Sequence, residues 1–268
     1  MFLYHEHNSS GPYAIAQSSH AWMAWQVSNH WGNRRFAKPA PRAEVGAAIL
    51  LHDIGWADFD AAPDIDADGR PTTFDRMSVE QHLEIWRRSV SQTGNFSRYA
   101  ATLVASHFAT LAKGKTTELF AADDTTGARL VEVYRAEMER LQATWLEELS
   151  IDARYETTLK GNGRLANSLI LSACDRISVV LSAEITTPFR SEVVGEGGEL
   201  ETVELTKIDE RSFRMNPWPL EGDRLKVHCE GRHLRTARFD SKESLREALR
   251  RAPVERLAFT LLRPAAKS

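Results

Sequence analysis

Cysteine is scarce in this sequence, with only Cys174 and Cys229 among 268 residues. Neither has a Cys or His at zinc-finger spacing, which argues against a disulfide scaffold and against a sulfur-rich metal site. The N-terminal residues "MFLYHEHNSS" lack the charged start and the long apolar stretch of a signal peptide. These features predict a reduced, cytoplasmic protein.

Excess charge and long apolar runs are also lacking. The formal net charge is −3, which argues against a dominant role in binding nucleic acid or an anionic membrane surface. No apolar run is expected to reach the roughly 20 residues of a membrane-spanning helix. We therefore predict a small-molecule substrate as partner, with no nucleic acid and no membrane, and leave homo-oligomerisation open.

The hydrophobic pattern changes along the chain. Residues 2–16 read as a short hairpin, and from residue 18 to about 185 the apolar residues recur at helical spacing. Short alternating runs after Pro188 are typical of strands. The pattern predicts a mainly α protein with two parts: a helical domain over 1–187 that includes the N-terminal hairpin, and a small β-rich (α+β) subdomain over 188–268. The subdomain packs on the helical body, and the hairpin can join its sheet.

Histidines and aspartates interrupt the apolar faces of these helices. His52 continues a buried stripe with Val45 and Ile49, and His107 lies between Leu103 and Leu111. Asp175 lies in the apolar run "LILSACDRISVVLS", where an unpaired carboxylate is costly. A single buried histidine is more often a hydrogen-bonded core residue than a ligand. The recurrence of one such group per helix favours a shared metal ion, with ligands His20, His52, Asp53, His82, His107 and Asp175.

The residue types indicate which metals fit. Imidazoles and carboxylates suit divalent iron or manganese best, and magnesium, zinc or nickel stay open, with one or two ions per chain. Asp53 follows His52 at a helix end and is the expected bridge between two ions. Bridged ions activate a water and clamp both oxygens of a displacement, so His52 and Asp53 are the predicted catalytic residues.

The spacing of these residues resembles the H…HD…D signature of the HD-domain superfamily, an all-helical metal-binding fold that includes many phosphohydrolases. His82 and His107 extend it to the H…HD…H…H…D set of dinuclear members, among them the HD-GYP phosphodiesterases and the di-iron oxygenases related to myo-inositol oxygenase. The segments "IAQSSHAWMAWQ", "HDIGW", "VASHFATL" and "CDRIS" are similar to one bacterial branch of the superfamily that has no established activity. The resemblance therefore implies an HD-domain-like bundle and a ligand set, more than a reaction.

Dinuclear members often carry a lysine after "HDIG", where it holds a substrate oxyanion, but this sequence has Trp56 there. The GYP tripeptide is also missing, so cyclic dinucleotide hydrolysis is not expected. Trp56 can stack on a substrate ring or simply pack in the loop. Phosphate needs further cations, and the candidates are Lys113 and Lys115 after His107, and Arg176 after Asp175.

Three functions are compatible with this pattern. The first is a metal-dependent phosphohydrolase that uses an activated water on a small phosphoester or nucleotide. The second is a di-iron oxygenase of the myo-inositol-oxygenase type with the same six ligands. The third is a non-catalytic metal-binding or sensing module.

Overall fold

The computed structural model describes residues 1–5, 11–183 and 189–265. The α-helices are α1 (Gln17–Ser28), α2 (Arg42–Leu51), α3 (Ala57–Ala61), α4 (Val79–Gly94), α5 (Arg98–Ala121), α6 (Thr125–Ser150), α7 (Glu156–Lys160), α8 (Gly163–Ser182) and α9 (Lys242–Arg251). The strands are β1 (Phe2–Tyr4), β2 (Tyr13–Ile15), β3 (Phe189–Val194), β4 (Leu200–Lys207), β5 (Ser212–Asn216), β6 (Arg224–His233) and β7 (Val254–Leu262).

The strands form one seven-stranded sheet in the order β1-β2-β6-β7-β5-β4-β3. Neighbouring strands are antiparallel except β5 and β7, which pair in parallel. The chain is 54% helical and 20% strand, and the sheet is curled and mixed. The prediction of a mainly α, HD-domain-like bundle with a small β-rich portion is therefore wrong, because the fold is α+β.

The N-terminal hairpin enlarges this sheet. Tyr13 of β2 pairs with His233 of β6, which joins the N-terminal hairpin to the strands of the C-terminal part. β1 and β2 have three residues each, too short for an alternating pattern to reveal how large the sheet becomes. The predicted domain boundary at 187 and 188 lies outside the described residues, and the division into two domains stays a prediction.

Helix α8 is the centre of the helical layer and packs against α1, α2, α5 and β3. By length and mean hydropathy it could cross a membrane, contrary to the expectation from the sequence. However, 61% of that window is buried inside the protein. Its apolar composition is therefore explained by its neighbours, which also bring Asp175 into contact with α1 and α5.

Local signals fix the helices that contribute ligands. Ser78 and Gln81 form a capping box at the start of α4, as their spacing predicts. Ser97 caps α5 through the backbone N–H of Ala100. These caps set where α4 and α5 begin, and hence which faces of the helices carry His82 and His107.

Candidate metal centre

The candidate site is formed by the helical layer. His20 lies in α1, His107 in α5 and Asp175 in α8. His52 caps the C-terminal end of α2, and Asp53 follows it before a 3-10 turn over Ile54–Trp56. The helix therefore ends at the His-Asp pair, and adjacent residues can face one centre.

Three imidazoles and two carboxylates meet at this point. The Nε2 of His20 lies 3.0 Å from Oδ2 of Asp53 and 3.5 Å from Oδ1 of Asp175. The Nε2 of His52 lies 3.5 Å from the same Asp53 oxygen and 3.3 Å from the same Asp175 oxygen. The Nε2 of His107 lies 3.3 Å from Oδ2 of Asp175. All five residues are buried.

Each histidine is oriented through its other ring nitrogen. His20 Nδ1 bonds the Ser178 hydroxyl at 2.7 Å, and that hydroxyl donates to the Asp175 carbonyl, so it accepts from the imidazole. His52 Nδ1 donates to the Ile49 carbonyl at 2.7 Å. His107 Nδ1 lies 3.1 Å from the Ser172 hydroxyl. These contacts turn all three Nε2 atoms toward the carboxylates, which is how outer groups orient ligating histidines.

The charges in the cluster depend on one another. Burial alone would lower the pKa of His52, but the carboxylates of Asp53 and Asp175 raise it to about 9. Burial would raise the pKa of Asp175, whereas the imidazoles of His107 and His52 hold it well below its usual range. Two buried carboxylates this close need positive charge between them, which an imidazolium or a metal cation supplies.

The donor set fits a divalent ion. His20, His52 and Asp175 each offer one ligand atom, and these atoms lie within 4.8 Å of one another. The Nε2 atoms of His52 and His107 are buried and have no hydrogen-bond partner among the described residues. Buried polar atoms are normally paired. A metal ion would pair with these two nitrogens by accepting their lone pairs. This group could therefore hold a metal ion, although it does not identify which one.

Asp175 spans the cluster more fully than Asp53 does. Its Oδ1 faces His20 and His52, and its Oδ2 faces His107. The contacts of Asp53 with His20 and His52 both run through a single oxygen, Oδ2. Asp175 is therefore better placed than Asp53 to bridge two ions.

His82 lies apart from this cluster, on the wall of the same cavity. Its ring contacts Trp56 edge-on at 5.4 Å and Trp86 at 4.7 Å between centroids. Burial lowers the pKa of His82 to about 4, with Asp53 opposing the shift and Lys115 adding to it. Among the six predicted ligands, five come together, and His82 and the buried Trp56 form the adjoining wall.

The cavity above the cluster has a volume of about 800 Å³. Its lining includes the aromatic residues Phe2, Trp56, Phe74, Trp86, Phe108 and Phe189. Lys115 and Arg176 also line it, and the guanidinium of Arg176 lies 5.4 Å from the centre of the Phe189 ring. Lys113 is exposed and is not among the described lining residues. The structure thus brings Trp56, Lys115 and Arg176 to the cavity, but not Lys113.

The sequence pattern does not single out Ser172, Ser178 or Gln17 as members of the site. Ser178 follows Asp175 by three residues and Gln17 precedes His20 by three, so each shares a helix face with a ligand. That spacing was the available signal. It is weak, because serine and glutamine at such positions are usually solvated or bonded to backbone.

Replacing Ser178 with Ala is expected to weaken metal binding by about 10–100-fold, because His20 loses the group that orients its ring. Metal titration of the purified variant measures this change. Ser182→Ala is the matched control, since Ser182 is also buried in α8 but, among the described residues, its hydroxyl bonds the Ser178 carbonyl and no candidate ligand side chain. Equal affinities in both variants would contradict the assigned role of Ser178.

Comparison with known proteins gives one match. A family model described as "Protein of unknown function (DUF3891)" matches residues 3–236. No curated protein and no solved structure matches the chain. The matched range contains all of the candidate metal ligands and runs from β1 to just beyond β6.

Proposed function

The chain belongs to the DUF3891 family, and for it we propose a metal-dependent phosphohydrolase acting on a small phosphoester or nucleotide. The observation that carries this proposal is the buried group of His20, His52 and Asp175 at the base of a large cavity. Its resemblance to the HD-domain ligand pattern supports the same reaction class. The small phosphorylated partner and the cytoplasmic location remain predictions.

A divalent ion in this site would supply Lewis acidity and an activated water. Nitrogen and carboxylate donors favour iron or manganese over metals that prefer sulfur ligands, such as Cu(I). His20, His52 and Asp175 would hold the first ion. His107 and the second oxygen of Asp175 would be donors for another ion. Asp53 Oδ2 lies 3.0 Å from the same Nε2 of His20, so this carboxylate is a further donor beside the first ion.

The remaining cavity residues suit an anionic ester. Lys115 Nζ forms an ion pair with the exposed Glu118 carboxylate at 3.4 Å, and this ammonium would exchange that partner for a phosphoryl oxygen. Arg176 offers a planar donor pair, which matches phosphate geometry. The aromatic side chains on the cavity wall lower the local polarity, so these charges act more strongly than at the surface. We assign the catalytic role to His52 and Asp53, as the sequence predicts.

The test is metal analysis after native purification, followed by a phosphoester panel with manganese, iron or magnesium, in air and anaerobically. We expect turnover of at least one ester and its loss in Asp53→Ala with the fold retained by circular dichroism. Oxygen consumption with a mixed-valent iron signal would instead indicate the oxygenase. Metal binding with neither activity would support a non-catalytic module and contradict the proposal.

Lys115→Met is expected to lower kcat/KM about tenfold for a phosphoester substrate, because a charge-assisted hydrogen bond to phosphate is lost. Steady-state kinetics measure it. Lys113→Met is the matched control two residues earlier on α5, and its exposed side chain predicts no change. A tenfold loss in both variants would point to long-range charge rather than to contact in the cavity.

A further inference from the structure

One buried amide in the cavity has no partner in the described structure. Gln17 is 2% exposed and lines the cavity with the metal ligands. Its side-chain oxygen Oε1 is buried and has no hydrogen-bond partner among the described residues. The aromatic walls offer it nothing to bond. A group desolvated in this way costs free energy unless something pairs with it.

The backbone holds this residue firmly in place. Gln17 is the first residue of α1, and its N–H donates to Oδ2 of Asp60 at 2.6 Å. Asp60 in turn lies 3.0 Å from the amino group of Met1. Gln17 and His20 are one helical turn apart, so they share the face of α1 that meets the cavity. The amide is thus positioned beside a candidate metal ligand.

Another glutamine of α1 shows what a structural amide looks like in this fold. The Nε2 of Gln26 donates to the His228 carbonyl at 2.8 Å, and its Oε1 accepts from the His228 N–H at 3.1 Å. Gln26 thereby ties α1 to β6. Gln17 has no comparable side-chain bond among the described residues, although it is the more buried of the two.

We propose that Gln17 is a specificity-determining residue: its amide oxygen accepts a hydrogen bond from a hydroxyl or amino group of the substrate. This inference rests on the proposed function because it assumes that the substrate binds in the cavity. It does not require that the substrate is hydrolysed. The metal centre and the cations at the cavity bind the phosphoryl group, and the amide oxygen of Gln17 accepts a hydrogen bond from the hydroxyl or amino group beside it. The substrate class is therefore a small anionic ester that carries a hydroxyl or amine.

The experiment compares Gln17→Met with Gln26→Met, using protein loaded with its native metal. Methionine nearly matches glutamine in size and cannot pair with a donor. Isothermal titration calorimetry measures binding of two matched pairs of probes: glycerol 3-phosphate against propyl phosphate, and 2-aminoethyl phosphate against ethyl phosphate. We expect wild type to prefer a donor-bearing probe about fivefold, the effect of one ordinary net hydrogen bond, and Gln17→Met to lose this preference.

Stability and metal content give outcomes that do not depend on the probes. Gln17→Met should keep its metal and its Tm, because an unpaired buried amide is replaced by an apolar group of the same shape. Gln26→Met should lower Tm, because it breaks the bonds to His228. A Tm loss in Gln17→Met as large as in Gln26→Met would show a structural role, and loss of metal would show a ligand role. Either result overturns the proposal.

The binding result separates this inference from the proposed function. If wild type binds neither donor-bearing probe preferentially, or Gln17→Met keeps the preference, the inference is overturned even when the enzyme turns over phosphoesters. If the preference exists and depends on Gln17 while no ester is hydrolysed, the inference holds and the hydrolase proposal fails.

Discussion

Asp175→Asn is expected to abolish metal binding, because Asp175 is the residue that faces all three imidazoles of the cluster. The substitution keeps the size of the side chain but removes the charge that a divalent ion requires. The loss should exceed the roughly 10–100-fold that removal of an orienting group costs. Elemental analysis after native purification, and metal titration of the chelated protein, measure it.

Asp75→Asn is the matched control for this prediction. Asp75 lines the same cavity, but it is exposed and accepts a hydrogen bond from Thr73. It should bind metal as wild type does. Wild-type metal content in Asp175→Asn would show that the buried carboxylate serves only the hydrogen-bonded core, the ordinary explanation for a buried polar cluster.

The same variant separates metal binding from folding. Asp175 carries negative charge into the core, and its removal leaves His52 with one fewer carboxylate. Breaking one partner of a buried charged pair costs about 3–5 kcal/mol when nothing replaces it. We therefore expect Asp175→Asn to have a lower Tm than wild type in the presence of chelator. Adding metal back should not raise the Tm of the variant.

The candidate site was largely predictable because each ligand contradicts its local pattern. A carboxylate at Asp175, in an apolar helix, has few explanations, and His52-Asp53 at a helix end adds another such group. Such conflicts between composition and burial are visible in one sequence. They do not reveal geometry, so the greater reach of Asp175 relative to Asp53 emerges only from distances.

The sheet was less predictable for a physical reason. Helical spacing is a local signal, whereas strand pairing joins residues far apart, such as Tyr13 and His233. The sequence therefore predicts that the hairpin can join the sheet, but not which strand it pairs with. In the fold, Phe2 of β1 lies edge-on to His20 at 4.9 Å, and so the sheet contributes a wall of the metal cavity.

Cavity residues divide in a similar way. Lys113 and Lys115 are the same residue type and lie two positions apart in the sequence. The rotation of about 100° per residue around the axis of α5 places Lys115, but not Lys113, on the side of the cavity. Gln17 carries only the weak signal of its three-residue spacing from His20. Its importance follows from burial without a partner, which is a property of three-dimensional packing.

His107→Ala is expected to reduce the metal content from two ions to one per chain, because it removes the imidazole that faces the second oxygen of Asp175. The first position, formed by His20, His52 and Asp175, keeps all of its donors. Native mass spectrometry under conditions that preserve bound metal measures the stoichiometry. His30→Ala, which removes an exposed imidazole, should leave it at two.

The result also decides how the carboxylate of Asp175 is used. If this carboxylate bridges two ions, His107→Ala should slightly lower the affinity for the remaining ion. The reason is that each bound ion helps to fix the orientation of the shared carboxylate. One ion per chain in both wild type and His107→Ala would contradict the second position. His107, held by the Ser172 hydroxyl, would then orient the Asp175 carboxylate through Oδ2 without binding metal. The reaction would have to use a single ion.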